Sequence, residues 1–196
     1  MTDMKLALGY AATCVCGSEG FAKTAYLDTL ARVPVWTIGF GTTRINGEPV
    51  REGMTCTHDQ ALAWAAADMQ AAANFVRRAV SVALNDWQLA ALISFCYNIG
   101  MGNFARSSVR AALNAGCYAC AAEKLLEYDE AGGHVIGGLE TRRKRERALF
   151  LIGNGNIAFH TCPAAPAAAC GIDPDNEADL LNQQELDRLH HQGDPA

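Results

Sequence analysis

The sequence predicts an α+β fold, mostly helical, in which a small β-hairpin lobe is joined by a long helix to a helical lobe. Three patterns carry that prediction. Thr57 with Gln60 and Asn85 with Gln88 are capping-box pairs, and they open apolar-periodic helices of about 20 and 12 residues. Val33 to Thr43 is rich in β-branched and aromatic residues, and Asn46-Gly47 then gives a strong hairpin signal. From Trp87 to Ile99 the apolar stripe is too wide for a surface helix, which makes this segment the centre of the core.

The remaining elements follow in order. Residues 3 to 18 are apolar enough for a first helix that stops at Gly17 or Gly20. Tyr26 to Thr29 reads as a polar turn. Ser107 opens a short helix that ends at Asn114-Ala115-Gly116, and Tyr118 to Asp129 forms another, ended by Gly132-Gly133. The last helix, roughly 140 to 152, holds Arg142, Arg143, Lys144, Arg145 and Arg147 among Glu140 and Glu146, with an apolar tip at 148 to 152.

Composition limits the function classes. The chain has 196 residues, half of them hydrophobic, which is enough for a core without staples. Residues 1–153 are near neutral at +1, whereas residues 154–196 stand at −6, together giving the chain its −5. The division at Gly153-Asn154-Gly155-Asn156 separates a near-neutral body, 1–153, from an acidic extension, 154–196. In the extension, residues 162–176 read as a linker and residues 177–191 as an amphipathic helix.

No apolar run reaches the roughly 18 to 20 residues of a spanning helix. Leu6 to Gly17 has about the length of a signal-peptide apolar region, but cleavage there would leave Glu19 with no helix behind it, so the segment reads as a buried helix. Of the eight cysteines, Cys117 and Cys120 form a CxxC with no second CxxC or completing histidine, so they read as small buried hydrophobes and no metal site is assigned. Cys162 with Cys170, and Cys14 or Cys16 with a neighbour, are pairs that an oxidising compartment would allow. The basic run 142–147 lacks interleaved aromatics and is broken by acids, which argues against nucleic acid; solvation or attraction to an anionic polymer fits it better.

The chemistry centres on residues 17–43. Hydrolysis of a glycosidic bond needs a proton donor and an anionic group that activates water, so two carboxyl groups in different environments suffice. Glu19, at a helix end beside Phe21, suits the acid, while Asp28 in a polar setting suits the anion. Spacing alone does not separate this from an ordinary helix-end Glu and turn Asp.

The segments "EGF", "AYLD" and "VWTIGFGTT" resemble the Glu-Gly, Tyr-x-Asp and Thr-Ile-Gly-x-Gly signature of phage-type lysozymes, the endolysins (muramidases) of glycoside hydrolase family 24. The likeness continues through "RINGEPVREGM", "ALISFCYNIGMGNFARSSV", "LNAG" and "GLETRRKRERALFL", from about residue 5 to 153. It implies a lysozyme-like fold and hydrolysis of the β-1,4 bond between N-acetylmuramic acid and N-acetylglucosamine in peptidoglycan, with inversion.

By the same resemblance Glu19 is the general acid, Asp28 the carboxylate that activates or orients water, and Thr37 the hydroxyl that holds that water. Tyr97, Ser107 and Arg142 match substrate-site positions, Arg142 being the arginine that pairs with the catalytic glutamate. Each also has a plainer reading: Tyr97 as a core aromatic, Ser107 as an N-cap, Arg142 as part of a solvated cationic face. Two departures stand out. Eight residues separate Asp28 from Thr37, more than in common members, and either lengthen the hairpin tip or displace one of the two. Thr42 stands where many relatives have histidine, so an ion pair is expected to be missing there.

The resemblance further implies a monomer with no cofactor, resident in the host cytoplasm before lysis and passed to the periplasm or wall by a holin-type pore. Two alternatives remain open: a lytic transglycosylase, which needs only the glutamate, and a non-catalytic wall-binding virion protein.

Overall fold

The structure is a computed structural model that describes residues 2–18, 20–29, 33–131 and 134–152. The extension 154–196, with its expected linker, helix and Cys162 and Cys170, lies outside the described residues, as does Glu19.

The first helix, α1 (Met4–Ser18), starts on Asp3, whose carboxylate accepts from the Lys5 and Leu6 amides. Ala7, Ala11 and Val15, four residues apart, form its fully buried stripe. Its N-terminus is pinned to the middle of the chain: the Asp3 amide donates to Asp86, the Thr2 hydroxyl donates to the Leu84 carbonyl, and the Tyr10 ring lies 3.9 Å from that of Trp87.

Strands β1 (Ala22–Asp28) and β2 (Val35–Gly39) pair antiparallel, followed by the short β3 (Arg44–Ile45) and β4 (Glu48–Pro49) hairpin turning at Asn46-Gly47. The Asn-Gly signal is met: both residues take positive φ, 54° and 87°. β1 corrects the expected turn at 26–29, because Tyr26, Leu27 and Asp28 are strand residues opposite Thr37, Trp36 and Val35. Its exposed positions obscure the period-2 alternation that would have marked it.

Both capping boxes form as expected. Thr57 and Gln60 open α2 (His58–Ala79), and Asn85 and Gln88 open α3 (Asp86–Ile99). Every residue of α3 from Gln88 to Cys96 is buried, and α1, α2 and α7 (Gly137–Leu151) all pack on it. β2 rests on α2 at Gly39, whose φ is +66° and where an added Cβ would stand 2.9 Å from the Ala61 Cβ; only glycine allows that approach.

Three further details depart from the sequence reading. A short α4 (Met101–Arg106) precedes α5 (Ser108–Asn114). α6 (Tyr118–Leu125) stops short of Asp129, and a small β5 (Glu130–Ala131) and β6 (His134–Val135) pair follows it. Cys117 and Cys120 are joined in a disulfide rather than buried as separate thiols. Cys117 is also the N-cap of α6, its sulfur accepting from the Cys120 amide, and helical initiation brings residues three apart within bonding reach.

Candidate active site

The hairpin register settles whether the longer Asp28-Thr37 connection displaces either residue from the pairing. Pairs 26–37, 27–36 and 28–35 are in step, so Asp28 and Thr37 keep adjoining places in the pairing despite the eight residues between them. Tyr26 and Asp28 share a face with their partners Thr37 and Val35, which places Asp28 and Thr37 on the same face as diagonal neighbours, about 7–8 Å apart in Cα. Asp28 is half-buried, whereas Thr37 is only 3 % exposed and donates weakly to the Val35 carbonyl at 3.3 Å.

Beyond Thr37 the chain reverses in a tight loop. Ile38 and Thr42 exchange both backbone hydrogen bonds, at 2.9 and 3.0 Å, with Gly39 and Gly41 at φ 66° and 97°. The buried Thr42 places its hydroxyl 3.4 Å from Asp68 of α2. Partial burial raises the Asp68 carboxyl and the Thr42 hydrogen bond opposes the rise.

Tyr97, in the last turn of α3, is half-buried, and its hydroxyl donates to the Phe40 carbonyl at 2.8 Å. Ser107 is the N-cap of α5: its oxygen accepts from the Arg110 amide and donates to the Phe104 carbonyl. The plainer reading of Ser107 thus accounts for two of its hydrogen bonds.

Arg142 does not belong to a solvated cationic face. It is 3 % exposed, and its guanidinium donates through Nε to Glu146 at 3.1 Å and through Nη2 to the Ser94 carbonyl at 3.2 Å. Arg143 is wholly buried, donates to Asn98 at 2.8 Å, contacts Glu146 and lies 4.8 Å from the Phe95 ring centroid. Glu146 is also wholly buried, and one of its oxygens accepts from Ser94, at 2.6 Å, as well as from both arginines. Burial pushes the Glu146 carboxyl up, while Arg143, Arg142 and the Ser94 hydroxyl pull it back. In the same run Lys144 pairs with Glu140, and Arg147 reaches Glu123 of α6 at 2.7 Å. Arg142, Arg143 and Arg147 are thus turned to partners within the fold, which corrects the expectation of a wholly solvated run, while Lys144 and Arg145 remain exposed.

Sequence reasoning missed Ser94, Asn98, Arg143 and Glu146. The available signal was Arg-Arg-x-x-Glu on a helix, where i,i+3 and i,i+4 spacing brings both cations to one carboxylate. The cluster also reaches α1. Burial and then Glu146 push the Cys14 thiol up, Arg142 and Arg145 draw it down, and the balance sits at about 11. Cys14 of α1 therefore lies within electrostatic range of Arg142. Among the described residues no group of three or more His, Cys, Asp or Glu is arranged to hold a metal ion, and no helix is long and apolar enough to cross a membrane.

The family model for phage lysozyme matches residues 17–146. The chain belongs to the phage lysozyme family. It is 39 % identical to the endolysin of Salmonella phage P22 over 134 residues, 68 % of this chain and 89 % of that one. Among solved structures, the endolysin from Escherichia coli O157:H7 phage FAHEc1 superposes with a TM-score of 0.63 at 30 % identity, covering 78 % of this chain and 94 % of the other. The muramidase domain of SpmX from Asticaccaulis excentricus gives 0.63 at 28 %, covering 77 % and 97 %. The lysozyme-like α+β fold expected from the sequence is thus the fold found. The chain spans about half the length of the Bacillus phage B103 and PZA endolysins, 53 % and 51 % of them.

Proposed function

We propose that this chain is an endolysin that hydrolyses the β-1,4 bond between N-acetylmuramic acid and N-acetylglucosamine in peptidoglycan, with inversion. The observation that carries the reading is the hairpin register, which keeps Asp28 and Thr37 on one face despite the long connection between them. Family membership supports it, as do the names endolysin and muramidase borne by the relatives.

In this reading Glu19 is the general acid. It protonates the leaving oxygen as the bond breaks, and an oxocarbenium-like transition state develops on the sugar. The Asp28 carboxylate draws a proton from a water held by the Thr37 hydroxyl, and that water attacks from the face opposite the leaving group and inverts the anomeric carbon. Arg142, fixed by Glu146 and Ser94, is in this reading the arginine whose positive charge serves the acid. Ser107 contributes by starting α5. A holin-type pore delivers the protein, a monomer, from the host cytoplasm to the wall.

Clearing of purified peptidoglycan by the wild type, Glu19→Gln and Asp28→Asn tests the proposal. Loss of the acid should slow clearing by about 10² to 10⁴, and loss of Asp28 should be comparably severe. A transglycosylase, which needs only the glutamate, would leave Asp28→Asn active. Full activity in Glu19→Gln would overturn the proposal outright.

A further inference from the structure

We infer that Tyr97 is a positioning residue, which acts through the Phe40 carbonyl to hold the loop that follows Thr37, and is not a platform for sugar. The inference rests on the muramidase reading. It starts from topology: Tyr97 ends α3 in the helical lobe, Phe40 sits at the tip of the loop after β2, and their hydrogen bond of 2.8 Å spans 57 residues of chain. It therefore ties the end of the central helix to the strand that bears Thr37.

The loop it holds is tight. Ile38 and Thr42 close it with reciprocal backbone hydrogen bonds, leaving the Phe40 carbonyl at the tip to a partner from elsewhere in the fold, which the phenol provides. The Phe40 ring is gripped separately. It lies 5.6 Å from Phe21 and 5.5 Å from His58, and those two rings are 5.2 Å apart, so three rings close a triangle. Gly39 seats on Ala61. Phe40 is only 5 % exposed, so the loop is fixed on its ring side by aromatic packing and on its carbonyl side by Tyr97.

Thr37 lies three residues before Phe40, on the strand that leads into the loop. A shift of the loop moves β2 along its pairing with β1, and so moves the Thr37 hydroxyl relative to Asp28. A water that must sit within hydrogen-bond reach of both tolerates little displacement, and a misplacement of about 1 Å can cost on the order of 100-fold in rate. Tyr97 thus bears on the geometry of the attacking water through the backbone.

Steady-state kinetics on a soluble peptidoglycan oligosaccharide decide the matter. Tyr97→Phe keeps the ring and removes only the hydroxyl. The latch predicts a fall in kcat of roughly 10- to 100-fold with KM unchanged, together with faster hydrogen exchange of the Thr42 amide. A sugar platform predicts a Tyr97→Phe enzyme like the wild type, with a raised KM only in Tyr97→Ala. A raised KM in Tyr97→Phe at constant kcat would show a hydroxyl contact to sugar. Either of the last two results overturns the inference. Should Tyr97→Phe not fold, an ester in place of the Phe40–Gly41 amide weakens the carbonyl as an acceptor while leaving every side chain in place, and kcat must drop in the same way; an unchanged kcat overturns the inference. An inactive wild type would sink the muramidase reading itself, whereas an active wild type with an unaffected latch variant sinks this inference alone.

Discussion

Helix α7 contains a controlled comparison. Arg142–Glu146 and Glu140–Lys144 are both i,i+4 ion pairs on one helix, at 3.1 and 2.7 Å, but the first is 3 % and 0 % exposed and the second 61 % and 46 % for Lys144 and Glu140. Burial, not spacing, should decide what each is worth. Glu146→Ala strips acceptors from the Ser94 hydroxyl and from two buried guanidiniums at once. Removing one partner of a buried pair costs about 3–5 kcal/mol, so about 4 kcal/mol is the expected loss here. That is a large part of the roughly 5–15 kcal/mol stabilising a domain of this size. At about 2–4 °C per kcal/mol, Tm should drop by about 8–16 °C. Glu140→Ala, with its partner in water, should cost about 0–1 kcal/mol. Guanidinium unfolding of both variants at constant m-value measures the difference. If Glu146→Ala lay within about 1 kcal/mol of Glu140→Ala, the claim that this buried cluster organises α3 against α7 would fail.

Three further outcomes follow. Because the folded-state carboxyl of Glu146 is raised above its ordinary 4.5, the folded state holds this proton more tightly than the unfolded chain. The stability it contributes is complete below the unfolded value and lost as pH rises through the folded one; Glu146→Gln, which is never ionised, should flatten that limb in a stability–pH profile. Burial holds Cys14 at about 11 and Cys96 at about 12, so peptide mapping after maleimide treatment at pH 8 should find both unlabelled in the native protein and labelled after unfolding. Reduction should add Cys117 and Cys120 to the labelled set. Gly39→Ala should lower stability by about 1–3 kcal/mol in a urea melt, since φ of +66° and an Ala61 Cβ at 2.9 Å oppose any side chain.

Much of the fold was legible because its signals are local. Capping boxes at Thr57 and Asn85 act within four residues, and the Asn46-Gly47 turn needs only two residues at positive φ. α3 declared itself by being apolar all round. What escaped depends on tertiary context. The arginines of α7 carry no mark of burial in their own sequence, because charged side chains are exposed unless paired, and their acceptor in Ser94 lies 48 residues away from Arg142. Cys117 and Cys120 are near in sequence, yet only the start of α6 brings their sulfurs together. Asp28 read as a turn residue because the polar and exposed side chains around it mask β1, which its pairing with β2 defines. Thr37 is named from resemblance and Asp28 from its polar setting as well; their shared face follows from register, which no count of intervening residues supplies.

The central claim is that Glu19 delivers a proton while water held by Asp28 and Thr37 attacks the sugar. Digestion of purified peptidoglycan, with mass spectrometry of the newly formed sugar ends and Glu19→Gln as the control, tests it most directly. The account predicts reducing ends from the wild type and almost none from the variant. Anhydro ends, or no release of fragments by the wild type, would contradict it.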